Sequence, residues 1–179
     1  MEGGMDQWMC PTEREEYKFY ETTNYTKCFS FLKDFMVTWT EANKYCQNST
    51  LAKIGEVLPG AFDVNGELVS VPDKATNDFL KSALIEYGIK KIFWTSGAKN
   101  SKDIWMWGGS MQPVNFSNWD PHDQYIRLVD TSKTPVVDLK RDKLGFGVDG
   151  QWRSLPSSYN KPFICQWTFQ SNKGLTTNC

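Results

Sequence analysis

Five cysteines, Cys10, Cys28, Cys46, Cys165 and Cys179, are spread from one end of this chain to the other, and no two of them form a C-x-x-C pair. A zinc knuckle or a redox motif needs that close spacing. Wide separation reads instead as long-range bridges, the framework of a protein made in an oxidising compartment. Three sequons, Asn24-Tyr25-Thr26, Asn48-Ser49-Thr50 and Asn115-Phe116-Ser117, point the same way, with N-glycosylation expected at Asn24, Asn48 and Asn115. The compartment these features favour is the secretory pathway and the extracellular space.

A chain of 179 residues suits one domain, because a core of that size buries roughly two-thirds of the surface of the unfolded chain. Eight Trp, eleven Phe and seven Tyr must pack inside it, and a net charge of −1 excludes the disordered class. Acidic and basic residues are interspersed, so there is no electrostatic footprint for nucleic acid or anionic lipid. No apolar run approaches the roughly 18 residues needed to span a bilayer. Met1 to Met9 has no charged-then-apolar leader, so for a secreted protein the leader is expected to be already gone, and Gly3-Gly4 suits an added linker. The expected division is an N-terminal extension at 1–9, a domain at 10–169 and a polar tail at 170–179.

Thr38-Trp39-Thr40-Glu41 has the spacing of a capping box and predicts a helix whose inward stripe is Trp39, Ala42 and Cys46, with Cys46 placed where a bridge can form. A second helix is predicted from Phe79, Leu80, Ala83, Leu84 and Tyr87, opening after Asp73 and stopping at Gly88, which suits a left-handed C-cap. Between them, Gly55 to Val71 reads as a long loop or a small hairpin turning at Val64-Asn65-Gly66. Beyond Gly88 come short aromatic and β-branched runs: 92–95, 104–107, Val136-Val137 and 162–169. Helices first and strands afterwards predict an α+β domain with a mostly antiparallel sheet.

The landmarks occur in a telling order. They are Cys10-Pro11 and Cys28-Phe29; Trp39-x-x-Ala42-x-x-x-Cys46; Leu51-Ala52-x-Ile54; Phe93-Trp94-Thr95-Ser96-Gly97; Trp105-x-Trp107; Asn118-Trp119; and Pro162-Phe163-Ile164-Cys165. As a set, over Cys10 to Trp167, they resemble the long form of the C-type lectin-like domain. The resemblance implies two helices flanking mostly antiparallel sheets, with a long loop region. It also implies a bridge from Cys46 to Cys165, closing a loop of about 120 residues worth about 4 to 5 kcal/mol in the chain-entropy model, and a second from Cys10 to Cys28. Cys179 is then left over. A covalent homodimer through it and an unpaired or capped thiol both stay open.

Sugar-binding members of that family hold calcium with a carboxylate or amide on each side of a proline and an Asn-Asp pair after a tryptophan; calcium wants six to eight oxygens. Here Trp152 is followed by Arg153-Ser154, a cation and a hydroxyl, and the proline segment reads Asp120-Pro121-His122-Asp123-Gln124. Gln112-Pro113-Val114 is a second proline candidate, but valine offers no side-chain oxygen. A third bridge common in relatives is absent, with Ser157 at one of its positions and no cysteine near Val136. The expectation is therefore no calcium cofactor. Ligand-binding candidates are Asp120, His122, Asp123, Gln124, Arg127, Arg153 and Ser154, on or beside a long loop between Gly108 and Trp152. The alternative is a calcium-dependent carbohydrate-binding lectin using atypical acidic ligands, Asp120, Asp123 and Asp142, whose ion could also be structural.

Other chemistry is weakly represented. Gly145-x-Gly147-x-x-Gly150 lacks the following helix and acid of a dinucleotide site and reads as a glycine-rich turn. His122 is the only histidine, and no elbow presents a nucleophile to it. Asp120, Asp123, Asp130, Asp138, Asp142 and Asp149 read as turn formers rather than paired catalytic acids. Trp105, Trp107, Trp119 and Trp152 could stack on sugar faces, with Trp119 and Trp152 better suited to the core. The sequence thus predicts no enzyme but a secreted recognition module for a glycan or an extracellular protein. A structural protein assembled through Cys179 is the rival from another class.

Overall fold

The computed structural model describes residues 16–22, 24–51, 64–108, 110–123 and 140–170. The chain enters as a hairpin, β1 (Glu16–Glu21) antiparallel to β2 (Tyr25–Val37), with the Thr22 hydroxyl accepting from the Tyr25 N–H at 3.1 Å in the turn. Helix α1 (Trp39–Gln47) starts where both halves of the capping box form: Thr38 accepts from the Glu41 N–H, and the Glu41 carboxylate accepts from the Thr38 N–H at 3.0 Å. Strands β3 (Thr50–Leu51), β4 (Val64–Asn65) and β5 (Glu67–Leu68) lead to α2 (Lys74–Tyr87), capped by Asp73 and ended by Gly88 at φ 69°. Strands β6 (Phe93–Lys99), β7 (Trp105–Trp107), β8 (Gln112–Pro113), β9 (Lys143–Phe146), β10 (Trp152–Leu155) and β11 (Lys161–Gln170) complete the order.

The main sheet runs β1-β2-β11-β6-β7-β8, with β9 pairing both β6 and β10, and β5 pairing β11. All pairs are antiparallel except β11 with β6. Alternation along the central strands divides their side chains between two cores. Phe29, Phe31, Phe93 and Ile164 pack with Leu80, Ala83 and Leu84 of α2. Cys28, Leu32, Trp94, Phe163, Cys165 and Trp167 pack with Ala42 and Cys46 of α1. The sheet is covered by helix on both faces, and the bridge from Cys46 to Cys165 ties α1 to β11 across a sequence separation of 119.

Two expectations about order are corrected. Strands do not wait for the helices, since β1 and β2 precede α1 and three short strands lie between α1 and α2. Of the two readings of Gly55 to Val71, a long loop or a small hairpin, the hairpin at Val64-Asn65-Gly66 does not form, and residues 55–63 lie outside the described residues. There the chain changes partners, β4 pairing β3 and β5 pairing β11. Gly66 is needed for close approach rather than for a turn, because a Cβ there would sit 2.6 Å from the Cys46 carbonyl oxygen and 2.9 Å from the Trp167 indole. The glycine-rich string spans the β9–β10 hairpin, whose turn has the Gly147 N–H donating to Gln151 O and Gly150 at φ 77°. Cys28 is disulfide-bonded, while Cys10, Cys179 and Val136-Val137 lie outside the described residues.

Candidate ligand-binding site

The site is organised around Trp152, which is fully buried. Its backbone N–H donates to Asn118 O, and the Asp120 N–H donates to Trp152 O, both at 2.9 Å, so segment 118–120 is laid alongside β10. The Trp152 indole Nε1 donates to Asn77 Oδ1 of α2 at 2.8 Å. Asn77 and Asn118 both donate through Nδ2 to Gly150 O, at 3.1 and 2.7 Å. Helix, hairpin turn and loop are thereby pinned at one point. Rings of Trp107, Phe116 and Trp119 meet Trp152 edge-on at 5.4 to 5.8 Å, and Trp105 packs on Trp119 at 5.0 Å. Trp107 is as buried as a core residue, and Trp105 and Trp119 are partly buried. The expectation that Trp119 and Trp152 belong to the core is met by Trp152, while Trp119 packs against the core and stays partly buried.

This frame places Asp120 and the helical turn at 121–123 directly beside Arg153 and Ser154. Asp120 Oδ1 accepts from the His122 N–H at 2.9 Å, and Oδ2 meets Arg153 Nη2 at 2.7 Å. Asp123 Oδ1 accepts from the Ser154 N–H at 2.9 Å, and Oδ2 accepts from the Ser154 hydroxyl at 3.0 Å. Both aspartates are buried, so these bonds answer the requirement that a buried charge be paired and hydrogen-bonded. All four carboxylate oxygens hold a protein donor. The His122 side chain is exposed, and what His122 contributes to the latch is its backbone N–H. Arg153 Nε, by contrast, is buried without a partner.

Five of the seven candidates, Asp120, His122, Asp123, Arg153 and Ser154, therefore stand together, while Gln124 and Arg127 lie outside the described residues. Asp142 does not join them: it pairs with Lys143 at 3.6 Å. Among the described residues no three His, Cys, Asp or Glu side chains are grouped closely enough to hold a metal ion. The calcium ion that the resemblance carries does not fit this donor set, since it would have to displace Arg153 and both donors of Ser154. Pro113 sits in β8, paired with Met106, and no peptide among the described residues is cis. Asn24, Asn48 and Asn115 are exposed, at the first hairpin turn, the C-cap of α1 and the stretch after β8. The sequence marks Asn118 only as a landmark beside Trp119 and does not mark Asn77, because neither breaks a periodic pattern and their partners lie 32 to 75 residues away.

No family model matches the chain. Human lymphocyte antigen 75 is 24% identical over 162 residues, covering 90% of this chain, and the chain spans only 8% of that relative's length. The human scavenger receptor C-type lectin carbohydrate-recognition domain superposes with a TM-score of 0.61 at 16% identity, over 88% of this chain and 98% of that one. A calcium-independent type II antifreeze protein superposes with a TM-score of 0.56 at 20% identity, over 89% of this chain and 95% of that one. Among the described residues no helix is long and apolar enough to cross a membrane. The strand order, the bridge from α1 to β11 and these likenesses lead to one conclusion: the chain is a domain of the C-type lectin-like fold.

Proposed function

We propose that the chain is an extracellular ligand-recognition module that binds a glycan or a protein without a calcium bridge and catalyses nothing. The observation that carries this reading is the latch of Arg153 on Asp120 and Ser154 on Asp123. A guanidinium and a hydroxyl fill, with covalently attached donors, the role a divalent cation would play in neutralising two buried carboxylates. The same engagement argues against catalysis, since neither aspartate keeps an oxygen clear of protein donors and the one histidine is exposed. The fold tolerates such a change, as the antifreeze protein described as calcium-independent illustrates. The binding surface is the rim of the latch, exposed Pro121 and His122 and the solvent side of Arg153, displayed on a rigid scaffold. Secretion, and glycans on Asn24, Asn48 and Asn115, belong to the same proposal.

Melting the protein with millimolar calcium and with EDTA tests it. A ligand of the folded state alone raises the melting temperature by mass action, so unchanged melting is expected. Retention on a glycan array, or on immobilised extracellular proteins, is expected to survive EDTA. A calcium-dependent rise in melting temperature, or EDTA-sensitive retention, overturns the reading.

A further inference from the structure

A cavity of about 410 Å³ shares no residue with the latch and is bounded by β2, β5, β11, Trp107 and the segment from Ser110 to Asn115. Its floor is a fixed polar chain. Gln166 Nε2 donates to Glu67 Oε2 at 2.8 Å, Gln166 Oε1 accepts from the Ser70 N–H at 3.1 Å, and the Ser70 and Ser96 hydroxyls meet at 2.9 Å. Two other donors, Lys27 and Trp107, stand on its wall. Lys27, opposite Thr168 on β11, is only 7% exposed, and its ammonium makes no hydrogen bond or ion pair with the described residues and lies 5.3 Å from the Tyr25 ring centre. Trp107 is 2% exposed, and its indole N–H is buried with no partner. A buried indole donor left in this state loses hydration and gains nothing, so it calls for an acceptor, and Lys27 on the same wall brings a positive charge.

We propose that this cavity binds a carboxylated saccharide of about monosaccharide size, its carboxylate accepting from the Lys27 ammonium and the Trp107 indole. A carboxylate offers two acceptor oxygens and one negative charge, which matches one point-charge donor and one neutral donor. Glu67 disfavours more highly charged anions such as a phosphate dianion, because its carboxylate would repel them. Ser110 and Gln112 at the wall bond sugar hydroxyls, and the volume lies in the range of small-molecule sites. Burial lowers the Lys27 pKa, with Glu67 and then Asp73 drawing it partly back. The cation is thus held at a cost that an anion relieves. The proposal is independent of the reading at Arg153, which calcium and EDTA melting tests alone.

The test is a titration of ¹⁵N-labelled protein with sodium glucuronate, sodium acetate and glucose, following the indole Nε1–H signal of Trp107, assigned by its loss in Trp107→Phe. Glucuronate is expected to shift that signal to saturation by about 10 mM, a tenfold excess over a millimolar Kd, while glucose leaves it in place. Lys27→Met should weaken glucuronate about tenfold or more, the loss of a charge-assisted hydrogen bond. Lys102→Met, at an exposed lysine, should not. Glu67→Gln, which removes the repelling charge, should tighten binding and keeps the test open if Lys27→Met fails to fold. An unmoved signal, an equal response to glucose, or full affinity in Lys27→Met overturns the proposal. Acetate binding as tightly as glucuronate overturns its saccharide part.

Discussion

Arg153 Nη2 and Asp120 Oδ2 lie 2.7 Å apart, the carboxylate side chain 5% exposed and the guanidinium side chain 36%. The pair is therefore lopsided. Asp120 depends on Arg153 for its counter-charge, while Arg153 keeps access to solvent. Arg153→Ala should destabilise the domain by about 2 kcal/mol, less than the loss of a fully buried partner because water screens the exposed side. Urea denaturation of Arg153→Ala, Asp120→Asn and the double variant checks it, and the double variant should lose less than the sum of the two singles.

The bridge between Cys46 and Cys165 closes most of the domain. Replacing both by Ala should cost about 4 to 5 kcal/mol in the chain-entropy model, a large share of a typical domain's stability of about 5 to 15 kcal/mol. Calorimetry should show the cooperative transition falling sharply in temperature or disappearing. Non-reducing peptide mapping of the parent should recover the two cysteines in one linked pair.

Asn77 and Asn118 make the same bond to Gly150 O, but only Asn77 also receives the Trp152 indole proton. Asn77→Ala leaves that buried donor unanswered and should cost about 1 to 3 kcal/mol. Asn118→Ala leaves Gly150 O with its Asn77 bond and should cost about 1 kcal/mol, the value of an ordinary hydrogen bond. Equal losses in denaturation would contradict this ranking.

Gly66 and Gly88 are both structurally required, for different reasons. A Cβ at 66 meets a carbonyl oxygen and a buried indole below 3.0 Å, whereas at 88 nothing lies within 4 Å and only the positive φ is at stake. Gly88→Ala should cost about 1 kcal/mol, the penalty of a left-handed conformation. Gly66→Ala should cost more, since the end of α1 or Trp167 must shift, and Gly88→Asn should recover part of the Gly88→Ala loss. Thermal melts of the three variants give the order directly.

Because burial lowers the Lys27 pKa, the unfolded chain holds more protons than the folded one between that lowered value and the ordinary lysine value. Stability contributed by this site therefore rises with pH across the window. Lys27→Met should melt above the parent at pH 7, and the gap should narrow as the pH climbs toward the ordinary lysine range. A gap that widens with pH would contradict the burial.

The helices were legible because their signals are local. The box Thr38-x-x-Glu41, the cap Asp73 and the stop at Gly88 act within a few residues, and the structure keeps all three. Strand β2 was not legible, because its buried run serves two cores at once and so shows no simple alternation of apolar and polar residues. At the candidate site, residue types marked Asp120, Asp123, Arg153 and Ser154, but not which carboxylate each donor would choose. That choice depends on the pairing of 118–120 with β10, a contact between segments some 30 residues apart. Lys27 escaped notice for a similar reason: only the approach of β11 and the stretch after Trp107 turns an ordinary strand lysine into a buried one.

Strand β11 borders β2 on one side and is shared between β6 and β5 on the other, besides carrying Cys165. During synthesis, then, β2 and β6 each wait with one edge unpaired until residues 161–170 clear the ribosome. Such non-local closure makes for slow folding, so the domain's yield in a cell should track the supply of chaperones and disulfide isomerase more closely than its final stability.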